Sequence, residues 1–260
     1  MPEVTAEKRV VVRADPDAVA KAVAARLLSR IIKRTDAGKL AHISLTGGSM
    51  GARVLAAAAL LPRAGEINWS LVHFWWSDER FVPRGHPDRN DTPAFAALFD
   101  RVGVPAGNIH SMPASDDGLD LDAAAAAYAA ELAEFADPAV GTWPSFDVCF
   151  LGVGPDAHIA SLFPDREEIK VTDRAVLPVR DSPKPPPERL TMTRPVINSS
   201  KRVWLVLAGD DKASALGLAL AGASYQSVPA AGAKGRKRTV FFVDEAAAAK
   251  VPPELIDADY

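Results

Sequence analysis

The sequence predicts an α/β fold: a three-layer α/β/α domain around a largely parallel, Rossmann-like central sheet. Three observations carry the prediction. Short apolar runs rich in β-branched and aromatic residues alternate with stretches of helical spacing along the 260 residues. The runs are nearly continuous rather than alternating in polarity, as strands covered on both faces are. Four of them stop in glycine, hydroxyl or charged residues, and parallel strands gather such ends along one edge, where ligands sit. No internal repeat or linker divides the chain, so residues 1–260 read as one domain.

Taken in order, Val10 to Val12 is a first strand. Asp15-Pro16 then opens a helix, with Val19, Val23, Leu27 and Ile31 recurring every four residues and Asp36-Ala-Gly38 as its stop. Leu40 to Leu45 is a strand that runs into Thr46-Gly-Gly-Ser49, and a helix from about Met50 to Leu61 follows. The run from Ile67 to Trp76 carries a strand, Leu71 to Trp76, that ends in Ser77-Asp-Glu-Arg80 and is succeeded by a long irregular segment, Phe81 to Asp91, of the kind that is functional or mobile. Thr92 to Phe99 is helical, Asn108 to Pro113 a short edge strand, and alanine-rich Leu121 to Phe135 a strong helix. Phe146 to Leu151 is a central strand ending at Gly152-Val-Gly-Pro-Asp-Ala-His158. The run Ser182-Pro-Lys-Pro-Pro-Pro187 is neither helix nor central strand, because its missing amides break both ladders. Val203 to Leu207 leads into Gly209-Asp-Asp-Lys212 and a helix, and Thr239 to Val243 is the last strand.

A net charge of −3 gives no reason to expect nucleic acid or an anionic membrane as partner. The lone cysteine, Cys149, sits inside an apolar strand and reads as a small buried hydrophobe. The polar N-terminus lacks the apolar core of a signal peptide, and no apolar run reaches the length of a spanning helix, so a cytoplasmic location is expected. Protein partners and oligomeric state are not legible. No HExxH, CxxC or calcium loop occurs, so neither a metal nor a cofactor is expected.

The four strand ends carry the chemistry. Gly47-Gly48-Ser49 opens a helix after a strand, which suits either a phosphate cradle or a tight turn capped by Ser49. Lys212 opens another helix, as a compensating cation or as a solvated surface residue. Asp78-Glu79-Arg80 is a self-compensating cluster or a group that faces ligand, with Arg80 able to neutralise charge on an oxygen. His158 is the best candidate for a general base, because a neutral imidazole can take a proton from water near neutral pH, and Asp156 can orient it. His42 and His73 lie in strand patterns and read as packed, while His86 and His110 lie in loops. Gly152 to Ala157 formally satisfies G-x-G-x-x-G/A, but Pro155 and Asp156 stand where amides should meet a pyrophosphate, so a dinucleotide is not expected.

Together the motifs resemble the 6-phosphogluconolactonase family, within the larger group that includes glucosamine-6-phosphate deaminases. The matching stretches are Leu45 to Ser49, Trp76 to Val82 with Asn90, Leu151 to Pro164, Ser182 to Thr193 and the turn at Gly209 to Lys212. The deaminases look like they carry a tyrosine after the Asp-Glu pair and Asn-Glu-Pro after the histidine motif. Here Arg80 and Ser161-Leu-Phe-Pro164 stand in those places, as in the lactonases. Departures are Ala157 for the usual glycine, Met50-Gly51 for Thr-Pro, and Arg89 where serine is frequent. The resemblance implies a small-molecule phosphosugar-lactone substrate, 6-phospho-D-glucono-1,5-lactone, hydrolysed to 6-phosphogluconate in the second step of the oxidative pentose phosphate pathway. It implies His158, Asp156 and Arg80 as catalytic, and Gly47, Gly48, Ser49, Asp78, Arg189 and Lys212 as binding residues. If the glycine that Ala157 replaces has a positive φ, the alanine is strained.

Overall fold

The computed structural model describes residues 8–258. The polar N-terminal segment, 1–7, lies outside the described residues. Six strands form one parallel sheet in the order β1-β9-β8-β5-β2-β3: β1 (Lys8–Arg13), β2 (Ala41–Leu45), β3 (Val72–Trp76), β5 (Val148–Leu151), β8 (Arg202–Leu207) and β9 (Arg238–Asp244). Every pairing in it is parallel, so the carboxyl ends share one edge.

Successive strand residues face opposite layers, and both layers are apolar. Val203, Leu205 and Leu207 pack into one core with Cys149, Leu151 and Phe241, while Trp204 and Val206 pack into the other with Phe150 and Phe242. That is why the strands read as continuous hydrophobic runs. The second core is covered by α1 (Pro16–Thr35) and α2 (Gly48–Leu60), and residues 92–102 continue that layer as α3, with a π-helical turn at Phe95–Phe99. The first core is covered by α4 (Leu121–Glu134), the short α5 (Arg194–Asn198) and α6 (Ala213–Leu220). Asp15 caps α1 as its side chain accepts from the Ala18 amide at 2.8 Å, with Pro16 at the first helical position.

Several local expectations are corrected. Residues 108–113 do not form an edge strand: Ile109 makes only an isolated bridge to Phe74, after a 3₁₀ turn at Ala106–Asn108. The strand expected at Leu71–Trp76 is present from Val72, one residue later, because Asn68 caps a 3₁₀ turn at Trp69–Leu71. Helix α2 starts at Gly48 with Gly47 as its N-cap, so Ser49 lies in the first turn and caps nothing. A second, antiparallel sheet was not foreseen. It has the order β4-β7-β6: β4 (Asp78–Arg80), β7 (Arg189–Met192) and β6 (Val176–Val179). Pro178 is tolerated because β6 is an edge strand. Ser77 joins the two sheets: its amide donates to Leu45 O at 3.0 Å and its carbonyl accepts from Met192 N at 2.8 Å. The small sheet therefore stands directly over the carboxyl edge of the large one.

Among the described residues no helix is long and apolar enough to cross a membrane.

Candidate active site

A cleft of about 290 Å³ lies between the two sheets. Its wall takes Gly47 and Gly48 from the β2–α2 turn, Asp78 and Arg80 from β4, His158 from the β5 loop, Arg189 from β7 and Lys212 from the turn after β8. Eight of the nine residues expected at the site therefore meet around one cavity, or stand directly behind it in the case of Asp156. The exception is Ser49, whose side chain is exposed one position into α2 and does not line the cleft.

His158 and Asp156 form the closest pair, with Nδ1 and Oδ1 2.6 Å apart. An ionised carboxylate only accepts, so Nδ1 carries the proton and the lone pair is left on Nε2. Burial works against charge on Asp156, but His158 and Lys184 outweigh it and hold the carboxyl well below the usual carboxylate range. The imidazole packs on Phe163, ring centres 4.7 Å apart. The loop turns tightly here: the Ala157 amide donates to Gly154 O at 2.9 Å, and the Gly154 amide donates to His158 O at 3.0 Å. A methyl group at Gly154 would overlap His158 Nδ1 and Asp156 Oδ1. The glycine that looked like part of a nucleotide fingerprint is the floor on which the Asp–His pair rests.

Ala157 has φ 64°, so the strain expected there is present, and Ala160 at φ 48° and Asp165 at φ 58° repeat it in the same loop. Positive φ in non-glycine residues costs of order 1 kcal/mol each and clusters where a loop is over-determined by its surroundings. The surroundings here are tight: Ala157 is 1% exposed and its carbonyl accepts from Ala230 N at 3.0 Å.

Lys184 lines the cleft beside this pair and was passed over by sequence reasoning. Its Nζ donates to Asp156 Oδ1 at 2.9 Å and stands 3.2 Å from His158 Nδ1. The Pro-rich loop that carries it is held by Arg189. The guanidinium donates to the carbonyls of Lys184 at 3.1 Å, Pro185 at 2.9 Å and Pro186 at 3.2 Å. Much of its hydrogen-bonding capacity is thus spent on shaping the loop. The only available signal was the motif itself, a lysine between two prolines, five residues before an arginine.

The remaining wall is equally well tied. Asp78 accepts from Ser161 Oγ at 2.7 Å and lies 3.3 Å from Asn90 Nδ2, tying two loops to β4. Thr46 Oγ1 accepts from the Gly152 amide at 3.1 Å and links the ends of β2 and β5. Gly47 is required because a methyl group would overlap the Asn90 side chain. Arg80 donates to Asp88 O, and its buried Nε has no hydrogen-bond partner among the described residues. Lys212 pairs with Asp211 at 3.0 Å and still reaches the cleft.

The segment 81–91 is anchored from beneath. Glu79 accepts from the amides of Arg80 at 2.7 Å, Asn90 at 2.6 Å and Asp91 at 2.9 Å. Arg89, 1% exposed, makes a two-pronged pair with Asp91, both contacts 2.8 Å, and lies 3.8 Å from Glu79. Burial pushes Glu79 up to about 7 against the pull of Arg89 and the amides. Among the described residues no group of three or more histidines, cysteines or acids is placed to hold a metal.

The comparisons agree with one another. The model of the glucosamine-6-phosphate isomerase/6-phosphogluconolactonase family matches residues 14–242. The chain is 47% identical to a 6-phosphogluconolactonase from Streptomyces coelicolor over 95% of this chain and 96% of that one. It is 45% identical to a 6-phosphogluconolactonase from Mycobacterium tuberculosis over 92% and 96%. The crystal structure of a 6-phosphogluconolactonase from Thermotoga maritima superposes with a TM-score of 0.78 at 26% identity, covering 92% of this chain and 100% of that one. A family match across most of the chain, on the stretches that build the cleft, shows that this protein belongs to the glucosamine-6-phosphate isomerase/6-phosphogluconolactonase family.

Proposed function

We propose that the chain hydrolyses 6-phospho-D-glucono-1,5-lactone to 6-phospho-D-gluconate, the second step of the oxidative pentose phosphate pathway, with His158 as general base. The observation that carries the reading is the Asp156–His158 pair, 2.6 Å apart, in the same cleft as a helix-opening glycine turn and four cations, Arg80, Lys184, Arg189 and Lys212.

The substrate's phosphate lies against the first turn of α2, where free amides at Gly48 and Ser49 and the helix dipole favour an anion, with Lys212 as counter-charge. That anchor fixes the lactone carbonyl near His158, so binding energy at one end orients chemistry at the other. Nε2 takes a proton from a water molecule whose oxygen bonds to C1. Negative charge moves to the carbonyl oxygen, where Arg80 stabilises it. Collapse then breaks the bond from C1 to the ring oxygen, which takes the proton back from the imidazolium. Asp156 keeps the ring in the tautomer this needs, and Lys184 holds Asp156 ionised.

The test is a lactonase assay on freshly made substrate, with spontaneous hydrolysis subtracted. His158→Ala is expected to lower kcat by about 10²–10⁴ with little change in KM. A variant that keeps wild-type kcat would remove His158 from the base role.

A further inference from the structure

The opposite edge of the main sheet holds a second concavity of about 350 Å³, which shares no residue with the cleft. The C-terminal turns of α1 and the loops that enter β2, β5, β8 and β9 enclose it. Seven of the nine lining residues are lysine or arginine, and Asp147 is the one carboxylate. In a chain with 33 acids and 30 bases this is a sharp local separation of charge.

Asp147 is already spent. It is 3% exposed, accepts from Lys201 Nζ at 2.7 Å and the His42 amide at 3.3 Å, and pairs with Arg34 Nε at 3.3 Å. It therefore fixes Lys201 and Arg34 as a rigid floor. Arg30, Lys33, Lys39 and Lys237 pair with no carboxylate among the described residues. The end of α1 favours cations through its dipole, which accounts for Lys33 and Arg34. It does not account for Lys201 and Lys237, which arrive from two other loops. Like charges held in a concave wall repel one another and concentrate a positive field there, and a bound polyanion relieves that repulsion.

We propose that this basin is a binding site for a small, multiply phosphorylated anion. Its volume falls at the small end of small-molecule sites. No aromatic residue lines it, so there is no platform for a nucleobase. It is a compact, solvent-open hollow on a net acidic chain, not the extended basic track that a nucleic-acid backbone needs.

Tripolyphosphate titrated calorimetrically onto the full chain at low salt tests this. Wild-type protein and Lys212→Ala, altered only in the cleft, are expected to bind alike, and affinity is expected to fall as salt rises. Reversal of two exposed basin charges, Lys33→Glu with Lys237→Glu, is expected to weaken binding by about tenfold or more while circular dichroism and lactone turnover stay as in the wild type. Three results would overturn the proposal: no binding to wild type at millimolar tripolyphosphate, equal binding by the basin variant, or loss on Lys212→Ala instead. A short RNA that outcompetes tripolyphosphate at equal phosphate would overturn the small-anion assignment.

Discussion

Ala157 puts opposing terms on one residue. Its left-handed backbone, φ 64°, costs about 1–2 kcal/mol that glycine would not incur. Its methyl group is 99% covered in the apolar core, where a buried carbon contributes about 0.8 kcal/mol. Glycine would also be freer in the unfolded chain, by about 0.4–1 kcal/mol. The terms nearly cancel, so Ala157→Gly is expected to change unfolding free energy by less than about 1 kcal/mol in urea melts. A loss of several kcal/mol would mean that packing of the methyl group, not backbone strain, decides the residue at this position. The neighbouring Gly154 has no such latitude, since any side chain there collides with the Asp–His pair.

The elements around the cleft differ in what holds them. Strand ends β2, β5 and β8 are fixed by the main sheet, whereas residues 81–91 depend on the buried Glu79–Arg89–Asp91 cluster. Arg89→Met keeps much of the side-chain volume but leaves the buried Glu79 without its cation and Asp91 with only the exposed Arg84, 3.3 Å away. Breaking a buried pair in this way costs about 3–5 kcal/mol. Chemical denaturation is expected to show a loss of that size, and a loss under about 1 kcal/mol would show that the amides alone satisfy Glu79. This cluster also marks the limit of sequence reading. The parallel strands and their aligned ends were legible because apolar runs and helix starts are local patterns. The small sheet was not, because β4, β6 and β7 are three or four residues long and β6 contains Pro178. Arg89 looked only like a departure from a common serine, since its partners become visible when the chain folds Glu79 beneath it. Lys184 was missed for the same reason: its reach to Asp156 spans 28 residues of sequence and depends on Arg189 gathering three carbonyls.

At the scale of the whole molecule, three histidines are buried around one aromatic wall. His110, which read as a loop residue, is 5% exposed and stacks on Trp75 with ring centres 3.7 Å apart. Its Nε2 lies 2.9 Å from His73 Nδ1, and its Nδ1 lies 2.6 Å from Glu131. Burial, with the other histidines and the basin cations Arg34 and Lys201, pushes His42 down to about 3. Burial and His110 push His73 down to about 4. Both folded values lie below the unfolded value of 6.5, so each group stabilises the fold fully above 6.5 and loses that contribution as pH falls toward the folded value. Between about pH 7 and pH 5 the unfolded chain gains a proton at each site that the folded chain does not, which amounts to about 2 kcal/mol per histidine. Glu79 acts in the opposite sense over part of this range, because its raised folded value favours the folded state as pH falls. The sign is therefore best read as a difference between wild type and His42→Gln/His73→Gln, which share Glu79. The stability advantage of the wild type over that variant is expected to shrink by up to about 4 kcal/mol from about pH 7 to about pH 5 in parallel denaturant melts. An advantage that stays constant across that range would show that both imidazoles are protonated as readily in the fold as outside it.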